Sequence, residues 1–194
     1  MAIQHPTQIV KSQDTIVRVG ALASATRPVM TTANAAGVLV LPNSGVPTMF
    51  FLGGVTNASV TLNDGEQEYY ILGGGGFADS VKVTQRAQAS ITSYVQKDLE
   101  DSGLDNGYDE AMDIIMRGRQ NRDFECYVEV YKHLGGAVFD ATCFASTVMN
   151  YSESYPADNL VEITFDLMSR GPIAVGKVAS ITPSPIPTTP NTTG

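Results

Sequence analysis

Tryptophan is absent from this 194-residue chain, cysteine occurs twice, and Lys plus Arg number 12 against 20 Asp plus Glu. Each scarcity excludes something. Two cysteines, Cys126 and Cys143, are too few for a disulfide framework; both fall on inward-facing positions of expected neighbouring strands and read as small buried hydrophobes, a disulfide or reactive pair being the alternative. A net charge of -8 argues against tight binding of nucleic acid through phosphates, which needs clustered cations, but not against a protein past which DNA slides. No apolar run approaches the roughly 20 residues of a membrane span, and no basic region followed by an apolar stretch opens the chain, so synthesis in the cytosol is expected.

Catalytic and ligand-binding patterns are missing too. His5 and His133 have no nearby nucleophile motif such as G-x-S-x-G. Gly73 to Gly76 lead into Phe-Ala-Asp, not the Lys-Ser/Thr of a phosphate-cradling loop. Asp101, Asp105 and Asp109 around Gly107 miss the calcium-loop spacing and its bidentate Glu. Three Asn-x-Ser/Thr matches, at Asn57, Asn150 and Asn191, mean little without a secretory signal. The expectation is a protein that is not an enzyme and needs no cofactor or metal.

What is present is alternation. Phe124, Cys126, Val128 and Val130 alternate with Glu125, Tyr127, Glu129 and Tyr131, the period of a strand buried on one face and wetted on the other. A Leu134-Gly135-Gly136 turn leads to a second apolar run through Phe139, Ala141, Cys143 and Ala145, which predicts an antiparallel hairpin. Leu160 to Met168 repeats the pattern, with Glu162, Thr164 and Asp166 on the polar side, and Arg170-Gly171-Pro172 is expected to stop it. Earlier strands are expected at Val38 to Leu41, Thr48 to Leu52, Val55 to Leu62, Tyr69 to Leu72, Ser80 to Thr84 and Ala89 to Val95, with a tight turn at Asn63-Asp64-Gly65 and a flexible break at Gly73 to Gly76. One helix is predicted over Asn106 to Gly118, because Tyr108, Ala111, Met112 and Ile115 recur at helical spacing. With 43% hydrophobic residues the chain suffices for one domain with a core. Its expected organisation is an N-terminal arm over 1–36, a β domain over 37–180 and a Pro/Thr-rich disordered or extended tail over 181–194.

Asp98 to Asp113 carries seven carboxylates and no basic residue, while Arg117, Arg119 and Arg122 follow at once. The plain reading is a solvated helix start. The other is a contact between copies, in which Asp105, Asp109, Glu110 and Asp113 of one meet Arg117, Arg119 and Arg122 of the next.

Three stretches together resemble the phage tail tube, or major tail, proteins: Thr48 to Leu62 (TMFFLGGVTNASVTL), Gly76 to Val95 (GFADSVKVTQRAQASITSYV), and Tyr155-Pro156-Ala157-Asp158-Asn159 followed by Leu160 to Met168 and Arg170-Gly171-Pro172-Ile173. The resemblance covers roughly residues 45 to 178 and is one of order and texture. It implies a mainly β fold, a β-sandwich or partial barrel with one flanking helix and extended arms. It also implies six-membered rings, stacked into a hollow tube through which DNA is ejected, with strands of neighbouring copies joined around the lumen. Implied partners are further copies of the chain, tape-measure, baseplate or tail-tip and terminator proteins, with or without a sheath, and double-stranded DNA passing without specific binding. The implied location is the virion tail, assembled in the host cytoplasm. Glu125, Glu129, Glu162 and Asp166 are then candidate lumen carboxylates, or else the outward face of a plain sandwich. The tube of a related contractile injection machine and a non-enzymatic virion or adhesion module are the alternatives.

Overall fold

The computed structural model describes residues 15–22, 27–42, 44–70, 78–95, 108–135, 138–157, 160–179 and 181. Among these residues, seven strands, β1 (Thr15–Ala21), β2 (Phe50–Phe51), β3 (Val55–Tyr70), β4 (Ala78–Tyr94), β5 (Cys126–Gly135), β6 (Val138–Ser154) and β7 (Glu162–Val178), and one helix, α1 (Glu110–Gln120), make up the regular structure. All neighbours pair antiparallel in the order β2-β1-β5-β6-β7-β4-β3. The fold is the expected mainly β architecture with one flanking helix.

β6 and β7 are the spine, and they change partners midway. β5 pairs β6 only as far as Cys126↔Ser146, while β4 joins β7 from Gln88↔Met168 onward. The ladder breaks at the same place. Phe144 pairs Ile173 and Ser146 pairs Ser169, so Ala145 lies opposite Arg170, Gly171 and Pro172. These three residues were expected to end a strand; instead they form a bulge inside one. Gly171 supplies a φ of 99°, and Pro172 costs no ladder bond where the ladder is already interrupted. A second irregularity places Asn150 and Tyr151 between the pairs Met149↔Asp166 and Ser152↔Thr164, with Asn150 at a φ of 51°. Two bends curl one sheet towards a partial barrel.

Inside the curl lies the main core: Val17 and Val19 of β1, Ala89 and Ile91 of β4, Val128 of β5, Phe144 of β6, and Ile163, Phe165 and Leu167 of β7, closed by Ala111, Met112, Ile114, Ile115 and Met116 of α1. Asp109 precedes the helix, and Asp113 N–H donates to its carbonyl. Gly118 was expected to stop the helix, but α1 runs on to Gln120. The residue is glycine because α1 crosses β6 there: a Cβ would stand 2.5 Å from Val148 Cγ2.

A second core lies on the other face of the same strands. Tyr127, Tyr131, Ala141, Cys143, Ala174 and Val178 are covered by Leu39 and Met49, with Met30, Ala33, Leu41 and Val46 around them. The covering segment has almost no secondary structure: Val38 bridges Lys177 in parallel, and Leu39 N–H and Lys177 N–H donate to Lys177 and Gly37 carbonyls. The strand expected at Val38 to Leu41 is therefore one bridge, and the face of β5 expected to be wet is buried. Both cysteines are buried as expected, but on opposite faces, and burial pushes their thiols up to about 11 (Cys126) and about 12 (Cys143).

β1, which falls within the stretch 1–36 expected as an arm, is an interior strand between β2 and β5. Residues 1–14 and 182–194 lie outside the described residues, as do the expected break at Gly73 to Gly76 and most of the acidic run. The turn expected at Asn63-Asp64-Gly65 is absent: β3 passes through it, paired with Arg86, Gln85 and Thr84 of β4. Turn residues specify a hairpin only when their two flanks pair with each other, and here both flanks pair with β4.

Gly118→Ala is expected to lower stability by about 1–3 kcal/mol despite alanine's better helix propensity, because the added methyl overpacks Val148. Urea unfolding checks this, and Val148→Ala in the same chain should restore part of the loss.

Candidate assembly edges and polar face

Among the described residues, the four-stranded part of the sheet has two margins without a neighbour: beyond Ser146, β6 has β7 on one side and no strand on the other, and on the far side β3 has β4 and no further strand. The portion β6-β7-β4-β3 is thus a four-stranded sheet open at both margins. Neither margin carries the lysine or proline that commonly deters edge pairing. Val55–Tyr70 contains no Lys, Arg or Pro, and neither does Thr147–Ser154. The β3–β4 pairing also continues past the sheet, from Leu62↔Ala87 to Tyr70↔Ala78, as a two-stranded ribbon.

One face of this four-stranded sheet is core; the other is polar. Registers align Ser59, Ser90, Asp166 and Met149 in one row, Asn57, Thr92, Thr164 and Ser152 in the next, and Thr61, Gln88, Met168 and Thr147 in a third. Hydrogen bonds knit the rows together. Ser90 Oγ donates to Asp166 Oδ1, Asn150 Nδ2 donates to Asp166 Oδ2 at 2.6 Å, and the Thr92 and Thr164 hydroxyls lie 3.3 Å apart. Burial raises the Asp166 pKa, but donors at Ser90, Asn150 and Gln88 outweigh it and hold the carboxyl below its ordinary value. No Lys or Arg stands among Gln88–Tyr94, Glu162–Met168 or Thr147–Ser154; Arg86 and Arg170 lie just outside these spans.

The four carboxylates read as lumen candidates separate. Asp166 and Glu162 lie on this sheet, Glu162 at its end in register with Tyr94 and Ser154. Glu125 and Glu129 lie on or beside β5, away from it. Glu125 accepts both Arg27 Nε, at 2.8 Å, and Arg27 Nη2, at 2.5 Å. Glu129 is only 4% exposed and Arg18 3%; their charged groups are 3.4 Å apart, and Tyr131 hydroxyl donates to Glu129 at 2.9 Å. Glu129 therefore presents no surface to a lumen. The second core encloses it.

The proposed acid–base contact between copies meets partners already within the chain. Asp113 pairs with Arg117 at 2.6 Å, one helical turn on, and Arg119 reaches Glu153 at 2.6 Å with its guanidinium over the Tyr151 ring. Arg122 lies 3.9 Å from Asp123, both exposed. Glu110 is exposed and Asp109 half-buried at the helix start, while Asp105 lies outside the described residues. Missed altogether was the Arg18–Glu129 pair. Its sequence signal was a lone arginine inside the apolar run Ile16 to Val19.

Removing one partner of that pair leaves the other charge buried. Glu129→Ala should cost about 3–5 kcal/mol in chemical unfolding, and Arg18→Met with Glu129→Leu should recover most of it. Burial raises the Glu129 pKa, against the pull of Arg18 and of the Tyr131 hydroxyl. Its contribution to stability is therefore complete below the unfolded carboxyl's pKa, about 4.3, and shrinks as pH rises through the higher folded value. Glu129→Gln should flatten that limb in a pH series of thermal melts.

No known family profile matches the sequence, and no curated protein matches it. Solved structures do. The SPP1 tail tube, determined by solid-state NMR and cryo-EM, overlays with a TM-score of 0.52 at 14% identity, over 89% of this chain and 81% of that one. A native gene transfer agent virion matches at 10% identity over 85% and 97%, with a TM-score of 0.47, and the anti-feeding prophage baseplate at 6% over 91% and 97%, with 0.42. This chain, a bent antiparallel sheet with one flanking helix, thus has the fold of a phage tail tube protein.

Proposed function

We propose that this chain is a structural, non-enzymatic virion subunit whose copies join into six-membered rings, stacked into a hollow tail tube through which double-stranded DNA is ejected. The observation that carries the reading is the pair of bare margins on a sheet of four strands. An even number of antiparallel strands leaves β3 running opposite to β6, so β3 of one copy can continue the alternation beside β6 of the next. Repetition of that contact closes a barrel and removes both of these margins. Six copies per ring is the number that the tail-tube resemblance implies.

The polar face is then the lumen wall, with Asp166 and Glu162 as its carboxylates and no arginine or lysine across the middle of the sheet. A lining without cations releases no counterions from passing DNA and so does not hold it. Copies of the chain are the first partners, followed by tape-measure, terminator and baseplate or tail-tip proteins where the tube begins and ends, with or without a sheath.

Purified protein is expected to form rings or hollow filaments in negative-stain micrographs, and a monodisperse monomer in light scattering at high concentration would refute the reading. Ser59→Lys with Thr61→Lys puts two cations on exposed positions of the outermost strand; folding should change by no more than about 0.5 kcal/mol per site, while rings are lost.

A further inference from the structure

Hydrogen-bond parity identifies the backbone groups that point outward at each margin. Tyr94 N–H donates to the Gly54 carbonyl, on the β3 side, and Val95 N–H to the Val161 carbonyl, on the β7 side. Bonding direction alternates residue by residue in an antiparallel strand, so Gln88, Ser90 and Thr92 bond towards β3 while Ala89, Ile91 and Ser93 bond towards β7. Asn57, Ser59 and Thr61, their partners on β3, therefore bond inward to β4, and the N–H and C=O groups of Ala58, Val60 and Leu62 point away from the sheet. By the same alternation Asp166 and Thr164 bond to Met149 and Ser152, and Val148 and Glu153 point theirs away from the sheet. Ala58 and Val60 at one margin and Val148 at the other pack against the main core. The outward groups of both margins thus sit on the core side, so a junction that satisfies them keeps the polar face continuous. Its allowed registers lie two residues apart.

Two observations choose among these registers. β5 occupies the outer side of β6 as far as Cys126↔Ser146, so among the described residues the free margin begins at Thr147. On the other margin, β3 is regular from Asn57 to Gly65 and shifts register between Gly65 and Glu66. We propose that Gly65 of one copy stands opposite Thr147 of the next, which places Asn63 opposite Met149. The irregularity after Gly65 then turns the β3–β4 ribbon aside at the level where β5 begins, whereas sliding β3 two residues further would drive its regular span into β5. Barrel closure gives the same answer. Ser59, Ser90, Asp166 and Met149 form one row within a copy, and meeting the next copy's Ser59 at Met149 would leave no stagger, which a closed barrel needs. Asn63 in place of Ser59 is a step of 63 − 59 = 4 residues across the four strands β6-β7-β4-β3. One residue per strand, about 3.3 Å along for about 4.8 Å across, is a tilt of about 35°, within the range of closed barrels. The inference rests on the tube reading and fixes the register in which a second copy of this chain occupies the β6 margin.

Disulfide scanning in assembled protein reads that register. Met149→Cys with Asn63→Cys should oxidise to a ladder extending beyond dimers on a non-reducing denaturing gel. Residues directly opposed across an antiparallel pair have Cα atoms about 4.5–5.5 Å apart, whereas a partner two residues along stands about 7–8 Å away, beyond disulfide reach. Thr61, Asn63, Met149 and Ser152 are exposed, and Cys126 and Cys143 are buried, so each single variant should assemble and give no ladder. A stronger ladder from Met149→Cys with Thr61→Cys, or from Ser152→Cys with Asn63→Cys, would overturn the assignment by two residues in one direction or the other and leave the ring reading intact. Rings in negative stain in which none of the three pairs oxidises would overturn it as well. Failure of the wild-type chain to form any ring or filament would overturn both readings.

Discussion

The backbone of β6 and β7 has more hydrogen-bonding capacity than the other described residues of one chain supply, and the fold is organised around that inequality. Each strand is 17 residues long, yet β5 accompanies β6 over barely half its length and β4 accompanies β7 only from the other end. The change of partner occurs where Ala145 faces Arg170, Gly171 and Pro172. A strand that bends at such a point can serve two packing directions at once. One half holds β5, β1 and the second core; the other carries the four-stranded sheet with its bare margins. Straightening the bulge would merge the two halves into one flat sheet whose inner residues no longer surround α1.

Burial on both faces of β5 has a related cause. A strand in the middle of a sheet is wetted on one side only if nothing covers that side. Here a segment with a single bridge covers it, using Leu39 and Met49. Such a segment has few internal backbone bonds and takes its position from apolar contact, from the Arg27–Glu125 pair, and from the hydrogen bonds of Gly37 and Leu39 with Lys177. The Arg18–Glu129 pair lies beneath it, with Phe51 over the Arg18 guanidinium. Because the segment determines what is wet, it also decides which carboxylates remain available at the surface.

How much of this was legible follows from range. Alternation at Phe124 to Tyr131 and at Leu160 to Met168 gave the strands correctly, because a period of two is imposed locally by the pleat. The exposure of one face was misread because its cover comes from about 90 residues upstream and has no period of its own. Two tyrosines at Tyr127 and Tyr131 on a supposedly wet face were the available hint. Arg170-Gly171-Pro172 and Asn63-Asp64-Gly65 carry real breaker chemistry, but one became a bulge and the other part of a continuous strand, since pairing partners decide between turn, bulge and strand. Among the site residues, Glu162, Thr164 and Asp166 share a face by spacing alone. By contrast, i,i+4 spacing already pointed Arg117 at Asp113, within the helix, while the Arg27–Glu125 pair spans 98 positions and leaves no trace in a local window.

The lateral contact proposed for assembly has a definite physical character. A junction between β3 and β6 is made of backbone hydrogen bonds, which are directional and tied to register; a slip of one residue would exchange the polar face for the core face. Such a junction fixes curvature and hence ring diameter.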